Sequence, residues 1–168
     1  MKTFLELCQA RHSVRAYTER PVSMDDVYYV LDCMRLAPSA VNFQPWRFLL
    51  VQGDDCRKLQ QCYANPWFKS VRTCIVALCD HRRSWKRNFD GKDHGDVDLG
   101  IVVAHFMLAA VDRGLSSCCV CNFNPGLFKM HFNLHDDLEP VAFLPLGYED
   151  TAVAPRKPGR NKIEDLML

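Results

Sequence analysis

The sequence lacks the glycine and serine signatures that mark many enzymes. It contains no G-x-G-x-x-G and no G-x-x-x-x-G-K-S/T stretch, the loops that cradle dinucleotides and triphosphates in many proteins. It also contains no G-x-S-x-G elbow of the kind that presents a nucleophilic serine. The commonest sequence signals for a Rossmann site, a P-loop and a serine hydrolase are therefore missing.

Long apolar runs and a strong charge imbalance are missing as well. No apolar run approaches the roughly 20 residues that a membrane-spanning helix needs. The N-terminal stretch contains Glu6 and no small-residue cleavage pattern, so it does not resemble a signal peptide. The formal net charge of +1 gives no global attraction to nucleic acid or to an anionic membrane. We therefore expect a cytoplasmic protein that binds neither nucleic acid nor membranes.

Nine cysteines are present, but their number is odd and most stand inside apolar runs. Thiols stay reduced in the cytosol, and a buried cysteine behaves as a small hydrophobic residue. Cys118, Cys119 and Cys121 form the one cluster. Cys118 and Cys121 have the spacing of one ligand pair of a zinc site. No convincing second pair follows, and His131 and His135 are the nearest candidates. We therefore predict no metal, with a structural metal at this cluster as the less favoured alternative.

Length and composition predict one domain that covers residues 1–168. Apolar residues make up 48% of the chain and charged residues 24%, as in ordinary globular proteins. Periodicity predicts helices and strands in the following ranges. The helices are 4–10, 24–37, 56–63, 98–113 and 127–132, and the strands are 47–51, 74–79, 115–120 and 140–148.

Two segments suggest contact with a partner chain. The apolar stripe of helix 98–113 is broad enough for burial on two sides, either by the core plus a subunit interface or by the core of a monomer. The tail from Glu149 onward is polar and punctuated by prolines. It is too long to fold on itself, so we expect it to wander or to lie along another surface such as a partner chain.

A basic segment follows the first helix, with Arg11, His12, Ser13 and Arg15 within five residues. In a helix or turn the two arginines would share a face and repel by a few tenths of a kcal/mol, roughly. An anion between the guanidiniums would remove this repulsion, and arginine binds phosphate in a bidentate fork. The segment is therefore interpreted as a phosphate clamp. The alternative is a solvated basic turn that ends the first helix.

A polar loop from Pro38 to Trp46 follows the second helix. Ser39, Asn42 and Gln44 offer neutral donors and acceptors, which suit the edge of a heteroaromatic ring or a polyol better than a bare charge. The alternative is a connecting loop whose polar groups face water.

Taken in order, these motifs resemble the nitroreductase family of flavoproteins over essentially the whole chain. The motifs are RHSVRAY, PSAVNFQPWRF, DVDLGIVVAHFMLAAVDRGLSSC, CVCNFNP, PLGY and the terminal IEDLM. The resemblance implies an α+β fold in which helices flank a mostly antiparallel central sheet. It also implies an FMN cofactor and an intertwined homodimer with exchange of the C-terminal tails.

The resemblance also implies which residues bind FMN. Four residues would hold the phosphate and the ribityl chain: Arg11, His12, Ser13 and Arg15. Two tail residues would complete the phosphate site: Arg160 and Lys162. Five residues would reach the flavin from the other subunit: Pro38, Ser39, Ala40, Asn42 and Gln44. Three would line the ring, mainly through backbone groups: Val120, Cys121 and Asn122.

Three departures from the family pattern bear on these assignments. Ala40 stands where many relatives have a hydroxyl, so its flavin contact would come from the backbone. Cys119 replaces a usual tryptophan, which would widen the pocket or repack the core. The tail lacks a usual proline, which leaves the choice of phosphate ligands open among four residues: Arg156, Lys157, Arg160 and Lys162.

The implied function is an FMN-dependent oxidoreductase that passes a hydride or electrons from NADH or NADPH to a nitroaromatic, a quinone or a similar small-molecule acceptor. No catalytic acid or base is predicted, because the cofactor carries the chemistry. We expect Trp85 or Phe89 to cover the flavin. The alternatives are a dehalogenase or enone reductase on the same fold, and a flavin-binding or flavin-sensing module without turnover.

Overall fold

The computed structural model describes residues 2–154 and 159–167. Five α-helices occur within these residues: α1 (Phe4–Ala10), α2 (Met24–Arg35), α3 (Cys56–Cys62), α4 (Gly95–Asp112) and α5 (Pro125–His131). Four strands occur there as well: β1 (Trp46–Gln52), β2 (Thr73–Asp80), β3 (Ser116–Ser117) and β4 (Leu138–Gly147). Short 3-10 turns occupy four further segments: Ala40–Asn42, Gly53–Asp55, Pro66–Ser70 and Ile163–Leu166.

The four strands form one antiparallel sheet in the order β1-β2-β4-β3. All eight residues of β2 are buried, because helices cover both faces of the sheet at its centre. This confirms the prediction of a central strand at 74–79. The predicted α+β fold, with helices around a mostly antiparallel sheet, is confirmed too.

Helices cover the two faces of the sheet in pairs. On one face α2 and α4 bury Val30, Met34 and Phe106 against the sheet residues Ile75 and Leu144. On the other face α3 and α5 pack on side chains that point the opposite way from the same strands, among them Val76, Phe143 and Leu78. The molecule is therefore a three-layer arrangement, and alternate residues of β2 serve the two cores.

Two predicted elements differ from the observed ones by three residues at an end, whereas the others differ by two residues or fewer. Helix α4 begins at Gly95, three residues before its predicted start at Asp98. The strand predicted at 115–120 is reduced to β3 and one isolated bridge between Val120 and Phe143, because the chain leaves β4 between these two contacts.

Helix α4 presents two different apolar sides. Leu99, Val102 and Phe106 are fully buried against the sheet and α2. On the other side Val97 is 49% exposed and Leu108 is half-buried. A single chain thus covers one side of α4 completely and leaves part of the other side accessible. Within the described residues, none of the helices is long and apolar enough to cross a membrane.

The close approach of Gly147 to Tyr17 gives a stability prediction. An added Cβ at Gly147 would lie 2.9 Å from Cδ1 of the Tyr17 ring, which is buried and cannot swing away. We expect Gly147→Ala to lower the free energy of unfolding by about 1–3 kcal/mol in urea denaturation. The matched control is Gly126→Ala, where the nearest atom would be 3.5 Å away. Equal stability of the two variants would contradict the packing described.

Candidate functional site

The basic segment predicted as a phosphate clamp is extended rather than helical. Ser13 forms a parallel bridge with Ser117, and the Val14 backbone N–H donates to the Ser117 carbonyl at 3.0 Å. Val14 is buried while Arg15 is exposed, as alternation along an extended chain requires. The same alternation places Arg11, Ser13 and Arg15 on one side of the segment. The two arginines therefore do share a face, as expected, but the segment that places them there is extended and not helical.

The two arginines and Ser13 all influence the pKa of one buried neighbour, the Cys118 thiol. Burial raises the pKa of this thiol, and Arg15, the Ser13 hydroxyl and Arg11 each act in the opposite direction. Two positive charges and a hydroxyl donor therefore act on the same small region beside β3. This is the local chemistry that a phosphate group needs.

His12 is held by partners within its own chain. Its Nε2 lies 3.1 Å from a Glu149 carboxylate oxygen, and its Nδ1 lies 3.1 Å from the Ala10 carbonyl oxygen. Both ring nitrogens are thus occupied in this structure. The contact of His12 with a phosphate stays a prediction, and it would require His12 to exchange one of these partners.

A cavity of about 270 Å³ is lined by Ser13 and Arg15 together with Glu149 and Asp150. Pockets that enclose whole cofactors and drug-sized ligands measure about 300–1,000 Å³. The cavity therefore suits one end of a flavin mononucleotide, and a single chain does not enclose the whole molecule here.

The polar loop 38–45 has an unusual backbone. Val41, Asn42 and Gln44 have φ values of 54°, 56° and 49°. Left-handed backbone is rare for residues other than glycine and is an outlier for a β-branched residue such as valine. Each such residue costs about 1–3 kcal/mol, and strain of this kind clusters at ligand-binding sites. The strain is the strongest sign that the loop serves a ligand.

Hydrogen bonds that involve side chains help to hold the strained loop. The Gln44 backbone N–H donates to the Ser39 hydroxyl at 2.9 Å, and its side-chain amide donates to the Asn42 side-chain oxygen at 3.2 Å. The Ala40 backbone N–H donates to a carboxylate oxygen of Asp98 at 3.0 Å. The loop is therefore fixed both within itself and to the first turn of α4.

Sequence reasoning missed Asp98. This residue is 2% exposed, and its second carboxylate oxygen is buried with no partner among the described residues. Asp98 is one of two acids in the first turn of an apolar helix, and in the sequence such acids suggest only an interaction with the helix dipole. Its bond to Ala40 depends on a contact across 58 positions of sequence, which no local pattern predicts.

The basic segment and the polar loop lie at opposite ends of the sheet. At one end the Asp80 backbone N–H donates to the Pro45 carbonyl at 2.8 Å. At the other end Cys74 is paired with Pro145, close to the Ser117 that holds Ser13. The six residue steps from Cys74 to Asp80 span about 20 Å. One chain therefore does not bring the two halves of the predicted flavin site together.

The predicted ring-binding residues lie near the basic segment. Val120 exchanges two backbone hydrogen bonds of 2.9 Å with Phe143 of β4. Cys121 and Asn122 follow and are exposed. Their backbone N–H groups donate no hydrogen bond within residues 2–154 and 159–167, so both are free to bind a ligand.

The predicted tail ligands lie in an exposed segment. All residues from 159 to 167 are exposed, and Arg160 donates to the Gly159 carbonyl at 2.9 Å. Lys162 precedes the short 3-10 turn Ile163–Leu166. The other two candidates, Arg156 and Lys157, lie outside the described residues.

A second polar cluster lies at the start of β4, and it has a different character. His81 lies 3.2 Å from an Asp93 oxygen and 2.6 Å from a Glu139 oxygen, beside an open cavity of about 610 Å³. The Cys79 sulfur is 3.9 Å from His81, but burial raises the pKa of Cys79 to about 12. This thiol therefore stays protonated and does not form a Cys–His nucleophile.

Metal binding finds no geometric support in the part of the chain that the structure describes. There, no group of three or more His, Cys, Asp or Glu side chains has an arrangement that would hold a metal ion. This includes the cysteine cluster at 118–121.

Comparison with known proteins identifies relatives over most of the chain. The profile of the nitroreductase family matches residues 8–72 and 54–148. A Streptococcus pyogenes protein, provisionally named an NAD(P)H nitroreductase, is 43% identical over an alignment of 185 residues that covers 90% of this chain and 92% of the relative. An iodotyrosine deiodinase of Thermotoga neapolitana is 25% identical over 171 residues, covering 89% and 90% of the two chains.

A crystal structure shows the same fold. A nitroreductase family protein from Clostridium difficile superposes with a TM-score of 0.90 at 35% identity, and the match covers 99% of this chain and 98% of the other. The nitroreductase-like fold implied by the motifs is therefore confirmed.

The His81 cluster gives a pH-dependent stability prediction. Burial lowers the pKa of His81, but the Asp93 and Glu139 carboxylates outweigh burial and raise it overall. A histidine with a raised folded pKa stabilises the fold at low pH, and this contribution is lost as the pH rises through that pKa. We expect His81→Gln to cost on the order of 0.5–1 kcal/mol more near pH 5.5 than near pH 9 in urea denaturation.

The control for this experiment is His135→Gln. The His135 side chain is 73% exposed beside Asp137, so water screens its ion pair. The same pH dependence in both variants would contradict the role given to the His81 cluster.

Proposed function

This chain belongs to the nitroreductase family, and from that premise we propose that it is an FMN-dependent oxidoreductase. In this proposal electrons pass from NADH or NADPH to a nitroaromatic, a quinone or a similar small acceptor. The FMN site is shared between the two subunits of a homodimer, whose C-terminal tails are exchanged.

One observation carries the proposal. Arg11, Ser13 and Arg15 form a cationic group with a hydroxyl donor, and the free backbone N–H groups of Cys121 and Asn122 lie on the segment that continues from the same strand pair. FMN has a dianionic phosphate at one end and a ring with hydrogen-bond acceptors at the other. Both ends therefore meet suitable partners, and the residues present fit the cofactor.

When bound, FMN supplies the redox chemistry, because its ring accepts a hydride from a nicotinamide and passes electrons to an acceptor. The chain supplies binding and orientation. The guanidiniums hold the phosphate in charge-assisted hydrogen bonds, and the Cys121 or Asn122 N–H orients the ring edge. A positive charge near the ring would stabilise the negative charge that the reduced flavin carries.

The separation of the two half-sites supports a shared site. In a two-fold dimer, a patch at one end of a subunit meets a different patch of its partner, and the same contact recurs on the other side. The strained loop of one subunit would thus reach the basic segment of the other. The tail supports this arrangement, since Ile163, Leu166 and Met167 are each at least 66% exposed and gain from a covering surface.

The first test is an absorption spectrum of the purified protein before and after anaerobic addition of NADH or NADPH. We expect a flavin spectrum that bleaches and then recovers when a quinone or a nitroaromatic is added. Bound flavin that no nicotinamide reduces would favour the flavin-binding module over the reductase. A colourless protein that takes up no added FMN would refute the cofactor assignment.

A second candidate function is reductive dehalogenation on the same cofactor. The similarity to an iodotyrosine deiodinase over 89% of this chain favours it among the other acceptors. Release of iodide from an iodinated tyrosine by the reduced protein, faster than reduction of quinones and nitroaromatics, would select this alternative.

Removing the two arginines should remove the flavin. Each charge-assisted hydrogen-bonded group contributes about 1.5–3 kcal/mol, so Arg11→Ala with Arg15→Ala should raise the Kd for FMN on the order of 10²- to 10⁴-fold. Fluorescence titration of FMN measures the change. The matched control replaces Arg35 and Arg57 with alanine, because both belong to exposed helical ion pairs. Stoichiometric flavin in the Arg11 and Arg15 variant would contradict the clamp.

Phe89 gives a test of the acceptor side. Its side chain is 98% exposed, so its removal leaves the core intact, and it lies beyond β2 at the same end of the sheet as the strained loop. We expect Phe89→Ala to change the KM for the acceptor severalfold while the Kd for FMN stays the same. Trp85→Ala tests the other candidate cover, which packs edge-on against His94 at 4.8 Å. Unchanged acceptor kinetics in both variants would refute the prediction that Trp85 or Phe89 covers the flavin.

A further inference from the structure

Two cysteines of the predicted ring-binding segment have their sulfur atoms in contact. The sulfurs of Cys119 and Cys121 are 3.7 Å apart. Val120 between them is pinned to Phe143 by two backbone hydrogen bonds and points into the core under α3 and α5. Alternation along this extended segment puts both thiols on the opposite face from Val120. We propose that Cys119 and Cys121 form a reversible disulfide when the protein meets a hydroperoxide.

The geometry distinguishes this pair from the commoner C-x-x-C pair in the same cluster. Cys118 is 2% exposed, and its thiol packs into the same core as Val120 and donates to the Cys119 carbonyl at 3.8 Å. It therefore lies on the far face of the segment from Cys121. The sequence alone favours Cys118 with Cys121, whereas the structure brings Cys119 to Cys121.

The two thiols differ in accessibility, and this sets the order of events. Cys121 is exposed and meets the oxidant first, while Cys119 is only partly exposed. The Cys121 thiolate attacks one peroxide oxygen and becomes a sulfenic acid as the alcohol or water departs. The Cys119 sulfur then attacks the Cys121 sulfur, the S–O bond breaks, and water leaves. The two thiols together lose two electrons and two protons, and the peroxide gains them.

Cys119 is suited to the second step rather than the first. Burial is the main cause and the neighbouring Cys121 the second cause that raise the pKa of Cys119 to about 12. Cys119 therefore stays protonated at neutral pH. A protonated thiol is a poor first nucleophile. In the second step it gives up its proton as the S–S bond forms, so closure should speed up as the pH rises.

The disulfide should be easy to reduce again. Closure shortens the sulfur–sulfur distance from 3.7 Å to about 2.05 Å. Two positions apart on an extended chain, the Cα atoms are about 6.6 Å apart, near the upper end of the disulfide range of about 4.4–6.8 Å. Strained and exposed disulfides have high reduction potentials and are the labile, regulatory ones. Such bonds also fit a reducing compartment, where lasting structural disulfides are rare.

Closure would also act on cofactor binding, a consequence that rests on the proposed function. Cys121 is one of the residues proposed to line the flavin ring, and closure pulls its backbone toward Cys119. We expect the oxidised protein to bind FMN severalfold more weakly than the reduced protein, with the affinity restored by dithiothreitol.

A single tryptic peptide reports the bond. Trypsin cleaves after Arg113 and after Lys129. The resulting peptide, residues 114–129, contains three of the nine cysteines. The purified protein is treated with hydrogen peroxide, alkylated and digested. The peptide should lose two hydrogen atoms in mass and retain one alkylatable thiol, and dithiothreitol should restore all three. Cys118→Ser should keep the mass loss, while Cys119→Ser, Cys119→Ala and Cys121→Ser should each abolish it.

Three results would overturn the proposal: three alkylated thiols after peroxide, a bond that persists without Cys119, or a sulfinic acid on Cys121 without a bond. The peptide assay requires no flavin, so it separates this inference from the cofactor assignment. A bond formed in a protein that binds no FMN would uphold the disulfide and refute the proposed function. A bond formed with unchanged FMN affinity would uphold the disulfide and remove its coupling to the cofactor.

Discussion

The pairing of the N-terminal segment with the end of the sheet is the constraint on which the candidate site depends. The Val14 N–H bonds to Ser117, and the Thr18 N–H bonds to Tyr148 at 2.9 Å. Between these two bonds the Tyr17 ring is buried, and its hydroxyl donates to the Val14 carbonyl at 3.0 Å. Backbone bonds and one aromatic anchor thus fix the backbone that carries the arginines. Among the described residues neither guanidinium has a carboxylate within salt-bridge distance, and Arg15 donates only a long 3.5 Å bond to the Ser13 carbonyl. A phosphate site gains from this arrangement, because the backbone is ordered before binding and only the arginine side chains have to be ordered by the anion.

The second half of the site is held by strain balanced against hydrogen bonds. Three left-handed residues in the loop cost several kcal/mol, roughly, and the Asp98 carboxylate together with the Ser39 hydroxyl retains them. A loop shaped at such cost is preorganised rather than adaptable. Its distance from the arginines, most of the length of β2, makes the site a property of two chains.

The sequence predicted the fold well wherever a local pattern decides it. Helix α1 and the central strand follow from periodicity alone. Family motifs added the antiparallel sheet and the candidate ligands. The contact of Asp98 with Ala40, the bond of His12 to Glu149 and the proximity of the Cys119 and Cys121 sulfurs were not predictable, because each depends on tertiary geometry that spacing does not encode.

The shared site is the central claim, and complementation between subunits tests it most directly. One variant carries Arg11→Ala and Arg15→Ala, the other carries Asn42→Ala and Gln44→Ala, and each alone should bind no FMN. The heterodimer, isolated with two different affinity tags, should bind one FMN, because one of its two sites combines intact arginines with an intact loop. If each double variant alone loses FMN and the heterodimer also binds none, the arginines and the loop of one chain must form the same site. That result would contradict the account.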